Sequence, residues 1–332
     1  MRQALPRAWL RRGPLARLLW PVSLLMRVAV QLRRWLYRKG WLESRKAGVP
    51  VVVIGNVVAG GAGKTPVVMT VAERLSRSGL NVVVVSRGHG RRSVENLEVT
   101  PRSDPAESGD EPLLVASRCR VPVFVARRRS EAVQDALRAY PRTDLILSDD
   151  GLQHYAMARD IEVCVFDDRG VGNGWLLPAG PLREPWPRPV DVVLRTPGAS
   201  TLPGFLVRRR LSTFAFRADG KRVELASFAG QPCDALAGIA RPQAFFDMLA
   251  GGGLTLGRTW ALEDHQDLSI EAPWLHGDAP LLCTEKDAVK LWRRHPHAWA
   301  VPLELDIDEA FWSQLESLLR PKLSSAHGSQ TA

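Results

Sequence analysis

The chain has 332 residues, 45% of them apolar and 24% charged, which suits a folded globular protein of two ordinary domains and excludes a disordered or fibrous one. Its formal charge of +10 is concentrated at one end: residues 1–46 hold twelve Lys or Arg against the single acid Glu43, and the remainder nets about −1. A body that nets about −1 argues against a nucleic-acid partner, because backbone phosphates need Lys and Arg spread along the folded face. Four cysteines, Cys119, Cys164, Cys233 and Cys283, form no C-x-x-C pair, and we expect buried reduced thiols.

Within the basic segment, the longest uncharged run, Leu18 to Met26, falls short of the about 20 apolar residues of a spanning helix. After Pro21 the pattern predicts a helix, with Val22, Leu25, Ala29, Leu32 and Leu36 on one face and Arg27, Gln31, Arg34 and Arg38 on another. Trp20, Trp35, Tyr37 and Trp41 are side chains that settle at a lipid–water boundary. The expectation is a helix lying on an anionic membrane surface.

Val51 to Ile54 is a β-branched run fit for a central parallel strand, and Thr65 to Arg77 has helical spacing. Between them, "GNVVAGGAGKT" approaches the phosphate-loop spacing G-x-x-x-x-G-K-[ST], with Val58 where the first glycine usually stands. The predicted nucleotide contacts are Val58, Ala59, Gly60, Gly61, Ala62, Gly63, Lys64 and Thr65. Glycines let the backbone turn its N–H groups on phosphate oxygens, and the helix N-terminus adds partial positive charge. Lys64 would reach the outer phosphates and Thr65 would offer its hydroxyl to Mg²⁺; Pro66 is tolerated in a first helical turn.

Such a loop needs an acid at the end of a neighbouring strand. "DLILSDD" ends in Asp149 and Asp150, and "IEVCVFDD" in Asp167 and Asp168. The pattern alone leaves both open; the glycine, amide and imidazole of "DDGLQH" favour the first pair. Other polar islands are "SRGHGRR" with Arg87, "SGDEPLL" with Asp110 and Glu111 ahead of a helix, and "NGWLLPAGPLREP" with Arg183 and Glu184. Alternation on either side of Asp219-Gly220 predicts a hairpin. Strand and helix signals then recur through "DALAGIARPQAFFDMLA", "APLLCTEKDAVKLW", "WAVPLELDID" and "EAFWSQLESLL", a smaller α/β lobe. Asp264 and His265 fall in its loop "EDHQDLS".

The ordered set "GNVVAGGAGKTP", "SRGHG", "GDEPLL", "SDDGLQHY", "NGWLLPAGPLREP", "LAGIARPQAFF", "DHQ" and "TEKDAVK" resembles the tetraacyldisaccharide 4′-kinase family. The resemblance implies a parallel-sheet P-loop domain and a smaller α/β lobe joined by a two-stranded linker, with an N-terminal amphipathic helix. The expected boundaries are 1–46 for the membrane-associating segment, 47–205 for the kinase core, 206–228 for the hairpin linker, 229–322 for the second lobe and 323–332 for a disordered tail. It implies transfer of the γ-phosphate of ATP, with Mg²⁺, to the 4′-hydroxyl of an acylated disaccharide 1-phosphate at the cytoplasmic face of the inner membrane. Carried over by motif, Asp110 is the catalytic carboxylate, His265 its partner, and Lys64 the phosphate-binding lysine. Thr65, Asp149 and Asp150 serve the metal, and Arg87, Gln153, His154 and Arg183 the substrate. The chain departs from the family at Val58 and Ala62, where hydroxyl residues are usual, and at His89 and Gln266.

Two other readings fit parts of the sequence. A P-loop switch protein would want N-K-x-D or T-K-x-D, and "TEKD" has those letters in the wrong order. A soluble kinase for a small metabolite would leave the N-terminal helix merely structural.

Overall fold

The computed structural model of the chain describes residues 9–264, 266, 268 and 277–328. In chain order the elements begin with α1 (Pro14–Arg38), β1 (Val51–Gly55), α2 (Lys64–Arg77), β2 (Val82–Ser86) and β3 (Leu97–Val99). There follow α3 (Asp110–Cys119), β4 (Val123–Val125), α4 (Arg129–Ala139), β5 (Leu145–Asp149), β6 (Ile161–Phe166), β7 (Val192–Arg195) and β8 (Phe205–Leu211). Next come β9 (Phe214–Phe216), β10 (Arg222–Glu224), β11 (Cys233–Ala237), α5 (Pro242–Gly251) and β12 (Leu256–Ala261). The chain finishes with β13 (Leu281–Thr284), α6 (Glu285–Leu291), β14 (Trp299–Val301), β15 (Leu303–Ile307) and α7 (Glu309–Gly328).

The chain divides into two compact units. One comprises residues up to Arg87, Arg128–Arg208 and Ile307 onward; the other comprises Gly88–Arg127 and Arg209–Asp306. These cuts differ from the contiguous sequence boundaries, because a segment groups with what it packs on and not with its chain neighbours. Thus α3, in the middle of the expected core, groups with α6, to which three ion pairs tie it.

In the first unit the strands run β8-β7-β6-β1-β5-β2. Each neighbouring pair is parallel. β1, β2 and β5 are buried at every residue, which is why they read as unbroken apolar runs instead of alternating ones. The central strand β1 leads into the glycine-rich loop, and its register sets Ile54 opposite Asp149 of β5 and Gly55 opposite Cys164 of β6. Both candidate acidic pairs therefore emerge near the loop.

Helix α1 starts seven residues before Pro21, with Pro14 in its first turn, where proline's fixed φ suits a helix. Pro21 stands inside and removes one N–H bond, but docking on either side of it compensates. Ala16 and Ser23 are buried; Ser23 Oγ donates to Leu176 O at 2.8 Å and accepts from Ala179 N at 3.0 Å. Trp9 Nε1 donates to Pro178 O at 2.9 Å, and Trp20 packs on Trp175. The other faces stay open: Leu18 is 75% exposed and Leu25 72%, with Val22, Val28 and Leu32 also exposed. By length and composition α1 could cross a membrane.

In the second unit a six-stranded sheet runs β10-β9-β14-β13-β11-β12. Its β14, β13, β11 and β12 are parallel, and β9–β10 is the expected antiparallel hairpin, turning at Arg217–Lys221. The hairpin forms the edge of this sheet, with β9 joined to β14. Phe245, Phe246 and Leu249 of α5 pack with one cluster of the core, and Ala288 and Leu291 of α6 with another. All four cysteines are buried free thiols.

Helix α7 groups with the first unit, where Phe311 and Leu315 are fully buried and Arg74 lies over the Trp312 ring. Helix α7 continues to Gly328, into the first part of the expected tail 323–332, and residues 329–332 lie outside the described residues. Ser324 and Ser325 bond back to Arg320 O and Lys322 O, and such bonds let serine continue a helix.

The junction of β1 with the loop leaves no room for a side chain at Gly55, where a Cβ would lie 2.7 Å from Cγ of the fully buried Leu152. Gly55→Ala should therefore lower stability by about 1–3 kcal/mol in urea unfolding. Gly251→Ala, where a Cβ meets nothing within 4 Å, should cost nothing and is the control.

Candidate active site

The loop after β1 is held open from its first half. Ala59 N donates to Pro181 O and Arg183 N to Val57 O, each at 2.7 Å, and Val58 bridges Leu182 in antiparallel fashion. The segment "GPLREP" thus zips alongside Val57–Ala59. Val58 is buried, so its side chain packs inward and its backbone carries the bridge. Gly60 (φ 89°) and Gly63 (φ 78°) adopt left-handed backbone that favours glycine, and Gly63 caps α2. Ala62 is buried, while Gly60 and Gly61 are exposed.

Charge gathers at the end of β5. Lys64 Nζ lies 3.6 Å from Asp150 Oδ1, and Arg183 Nη1 lies 3.1 Å from Asp150 Oδ2. Asp150 has φ 49°, unusual for a residue with a side chain, and its N–H bonds to Ile54 O at 2.9 Å. Burial pushes the Asp150 carboxyl up, but Lys64, Arg183 and Arg129 outweigh it and hold it below its ordinary value. Thr65 Oγ1 donates to Asp149 Oδ2 at 3.5 Å, both groups being buried. Asp167 and Asp168 are engaged elsewhere: both oxygens of Asp167 accept from Arg169 Nε at 3.0 Å in its own turn, and Asp168 accepts from Thr196 Oγ1, just after β7, at 2.5 Å.

The proposed substrate residues divide. Gln153 Nε2 donates to Asn56 O at 3.0 Å, turning toward the end of β1. His154 is pushed down to about 4 by burial and then by Arg129, Arg159, Arg33 and Arg87, so its imidazole is neutral at pH 7. Arg87 is exposed at the carboxyl end of β2, and Arg183 is turned to Asp150.

Arg129 was not singled out by the sequence. Its guanidinium, nearly buried, donates to Asp149 O at 3.2 and 3.0 Å and to Asp150 O at 2.9 Å. It fixes the strand end on which both acids stand, and "RRR" at 127–129 carried no signal that the third arginine points inward.

The second unit holds a separate polar cluster. Asp110 opens α3 and is buried, and its Oδ2 lies 3.1 Å from Lys290 Nζ of α6. Lys290 also donates to Gln266 O at 3.0 Å. Lys286 lies 2.7 Å from Asp264 Oδ1 and 3.5 Å from Glu111 Oε1. Burial pulls Lys286 down, but Glu111, Asp264 and Asp110 raise it above its ordinary value, so it stays charged. Two lysines one helical turn apart thus tie the start of α3 to the loop carrying Asp264 and Gln266. His265 lies outside the described residues. Thr284 caps α6 by accepting from Asp287 N, while Asp287 accepts from Gly238 N at 2.9 Å, so "TEKD" builds the helix start. The "SRGHG" and "SGDE" islands also meet: a Cβ on Gly88 would stand 2.9 Å from Ser108 O.

These arrangements can be set beside known proteins. The sequence profile of the family described as "Tetraacyldisaccharide-1-P 4'-kinase" matches residues 15–320. A tetraacyldisaccharide 4′-kinase of Polaromonas naphthalenivorans is 54% identical, with 100% of each chain covered. One of Delftia acidovorans is 51% identical over 95% of each. A crystal structure of LpxK from Aquifex aeolicus in complex with ATP superimposes with a TM-score of 0.81 at 28% identity, covering 93% of this chain and 99% of that one. With a match across nearly its whole length, the chain belongs to the tetraacyldisaccharide 4′-kinase family.

Proposed function

We propose that this chain transfers the γ-phosphate of ATP to the 4′-hydroxyl of a tetraacyldisaccharide 1-phosphate, giving the bisphosphorylated lipid A precursor. The observation that carries the donor half is the loop after β1, with Lys64 over Asp150 and Thr65 beside Asp149. Phosphoryl transfer asks a protein for positioning and charge neutralisation more than for covalent chemistry. Lys64 and the loop N–H groups hold the outer phosphates. Among the described residues no group of three or more His, Cys, Asp or Glu forms a metal cage. The hard oxygens of Thr65 and Asp149, with Asp150 beside them, are of the kind that would hold Mg²⁺. Such an ion neutralises charge on the transferring group when bound.

On the acceptor side, Asp110 is the base that prepares the sugar hydroxyl, and His265, next in sequence to Asp264, is its partner. Support comes from the placement of Asp110 at a helix start with Lys290 Nζ 3.1 Å from its carboxylate. Arg87, Gln153, His154 and Arg183 serve the substrate's second phosphate and sugar. Within 206–228 the chain passes from the first unit to the second in β8, and β9–β10 is the edge of the second unit's sheet.

The substrate is acylated and stays in the bilayer, so the enzyme works at the cytoplasmic face of the inner membrane as a peripheral or monotopic protein. The exposed apolar side of α1 with its arginines supports an anionic membrane surface as a partner.

With Mg-ATP and a tetraacyldisaccharide 1-phosphate in detergent micelles, mass spectrometry should find one added phosphate. Lys64→Ala should lower turnover about 10²–10³-fold; unchanged kinetics would remove the P-loop assignment. Asp110→Asn should lower turnover about 10²–10⁴-fold while ATP affinity is kept, and near-normal turnover would take Asp110 out of the base role. In flotation assays the full chain should rise with anionic vesicles, and a Leu18→Glu/Leu25→Glu variant should stay at the bottom. Equal flotation of both would remove α1 from membrane binding.

A further inference from the structure

Arg169 follows the acidic pair at the end of β6. Its side chain spans four acceptors. Nε donates to both oxygens of Asp167 at 3.0 Å, Nη1 donates to Ala59 O at 3.2 Å, and Nη2 donates to Gly61 O at 3.1 Å. Asp167 is 2% exposed and so is a fixed anchor. The guanidinium is planar and always charged, and it can fork to two carbonyls as an ammonium cannot.

The two carbonyls belong to alternate peptides of the phosphate loop. In a trans peptide the C=O and the following N–H point in opposite directions. Carbonyls of Ala59 and Gly61 pulled toward Arg169 therefore turn the N–H groups of Gly60 and Ala62 away from it. Gly60 also has to lack a side chain here, since a Cβ would lie 3.2 Å from Arg169 Nη1 on a backbone with φ 89°. Without an anion present, a loop with three glycines has many conformations of similar energy. A buried-anchored arginine reduces that freedom before the nucleotide arrives, and binding is tighter when the ordering has already been done.

We propose that Arg169 is a positioning residue for ATP: anchored on Asp167, it clamps the Ala59–Gly60 and Gly61–Ala62 peptides with their N–H groups turned toward the nucleotide phosphates. The inference rests on the P-loop reading above. It differs from a direct charge contact, because the orientation is delivered by the fork and not by the positive charge alone.

The test is ATP affinity by titration calorimetry, with KM for ATP and kcat at saturating ATP, on the full chain and on Arg169→Met, Arg169→Lys, Asp167→Ala and Lys64→Ala. Arg169→Met should weaken ATP binding at least about tenfold, the scale expected for losing two charge-assisted hydrogen bonds. Arg169→Lys should not restore it, Asp167→Ala should reproduce most of the loss, and kcat at saturating ATP should change far less than KM. Melting without nucleotide should stay close to wild type, while the stabilisation by ATP shrinks. ATP affinity within twofold of wild type in Arg169→Met, or full recovery in Arg169→Lys, would overturn the clamp. If Lys64→Ala is also without effect, the P-loop reading itself falls; if only Arg169→Met is silent, the clamp alone falls.

Discussion

A site for a triphosphate must collect positive charge and N–H dipoles in one place before any anion is there to balance them. In this protein Asp150 supplies the balance. Lys64, Arg183 and Arg129 all act on its carboxylate, which stays ionised despite burial. The left-handed backbone at Asp150 brings that carboxylate round to face Lys64, and Arg129 holds the carbonyls on either side of the bend. Repulsion among the cations is offset within the apo fold, so the glycine loop need not collapse or splay to escape it.

The two strands beside β1 then do different work on the same loop. β5 brings Asp149 to the Thr65 hydroxyl at the head of α2, and β6 brings Asp167 and through it Arg169 to the loop's outer carbonyls. The register explains the symmetry, since β1 is hydrogen-bonded to both strands and all three end at the same edge of the sheet. In the second unit, lysines play the corresponding part. Lys290 and Lys286 gather Asp110, Glu111, Asp264 and the Gln266 carbonyl, so the proposed base is held by a helix that the sequence marked only as a strand-to-helix joint.

What the sequence made legible was local. The strand, loop and helix around Gly63-Lys64-Thr65 lie within about 27 consecutive residues, and composition and spacing carry them completely. The parallel core was legible for the same reason: a strand buried on both faces has nothing to alternate. Long-range partners were not. Arg129 and Arg169 are single arginines among many, and their inward direction depends on carbonyls 20 and 108–110 residues away. The early start of α1 was hidden by Pro21, whose local rule predicts a break; docking on both sides of it, through Trp20 on Trp175 and Ser23 on Leu176 and Ala179, overrides it. The grouping of α3 with α6 was invisible because it is made by ion pairs between segments about 180 residues apart.

The Ser23 hydroxyl, bonded to the backbone in both directions, has a mechanical meaning. The segment it grips continues to Pro181 and Arg183, whose backbone is bonded to Ala59 and Val57. From the apolar helix to the phosphate loop there is thus an unbroken run of short backbone links with no flexible tether in it. A helix seated at a fixed depth in a lipid leaflet would act as a gauge, holding the phosphate donor at a set height above the plane in which the acyl chains of the acceptor are anchored.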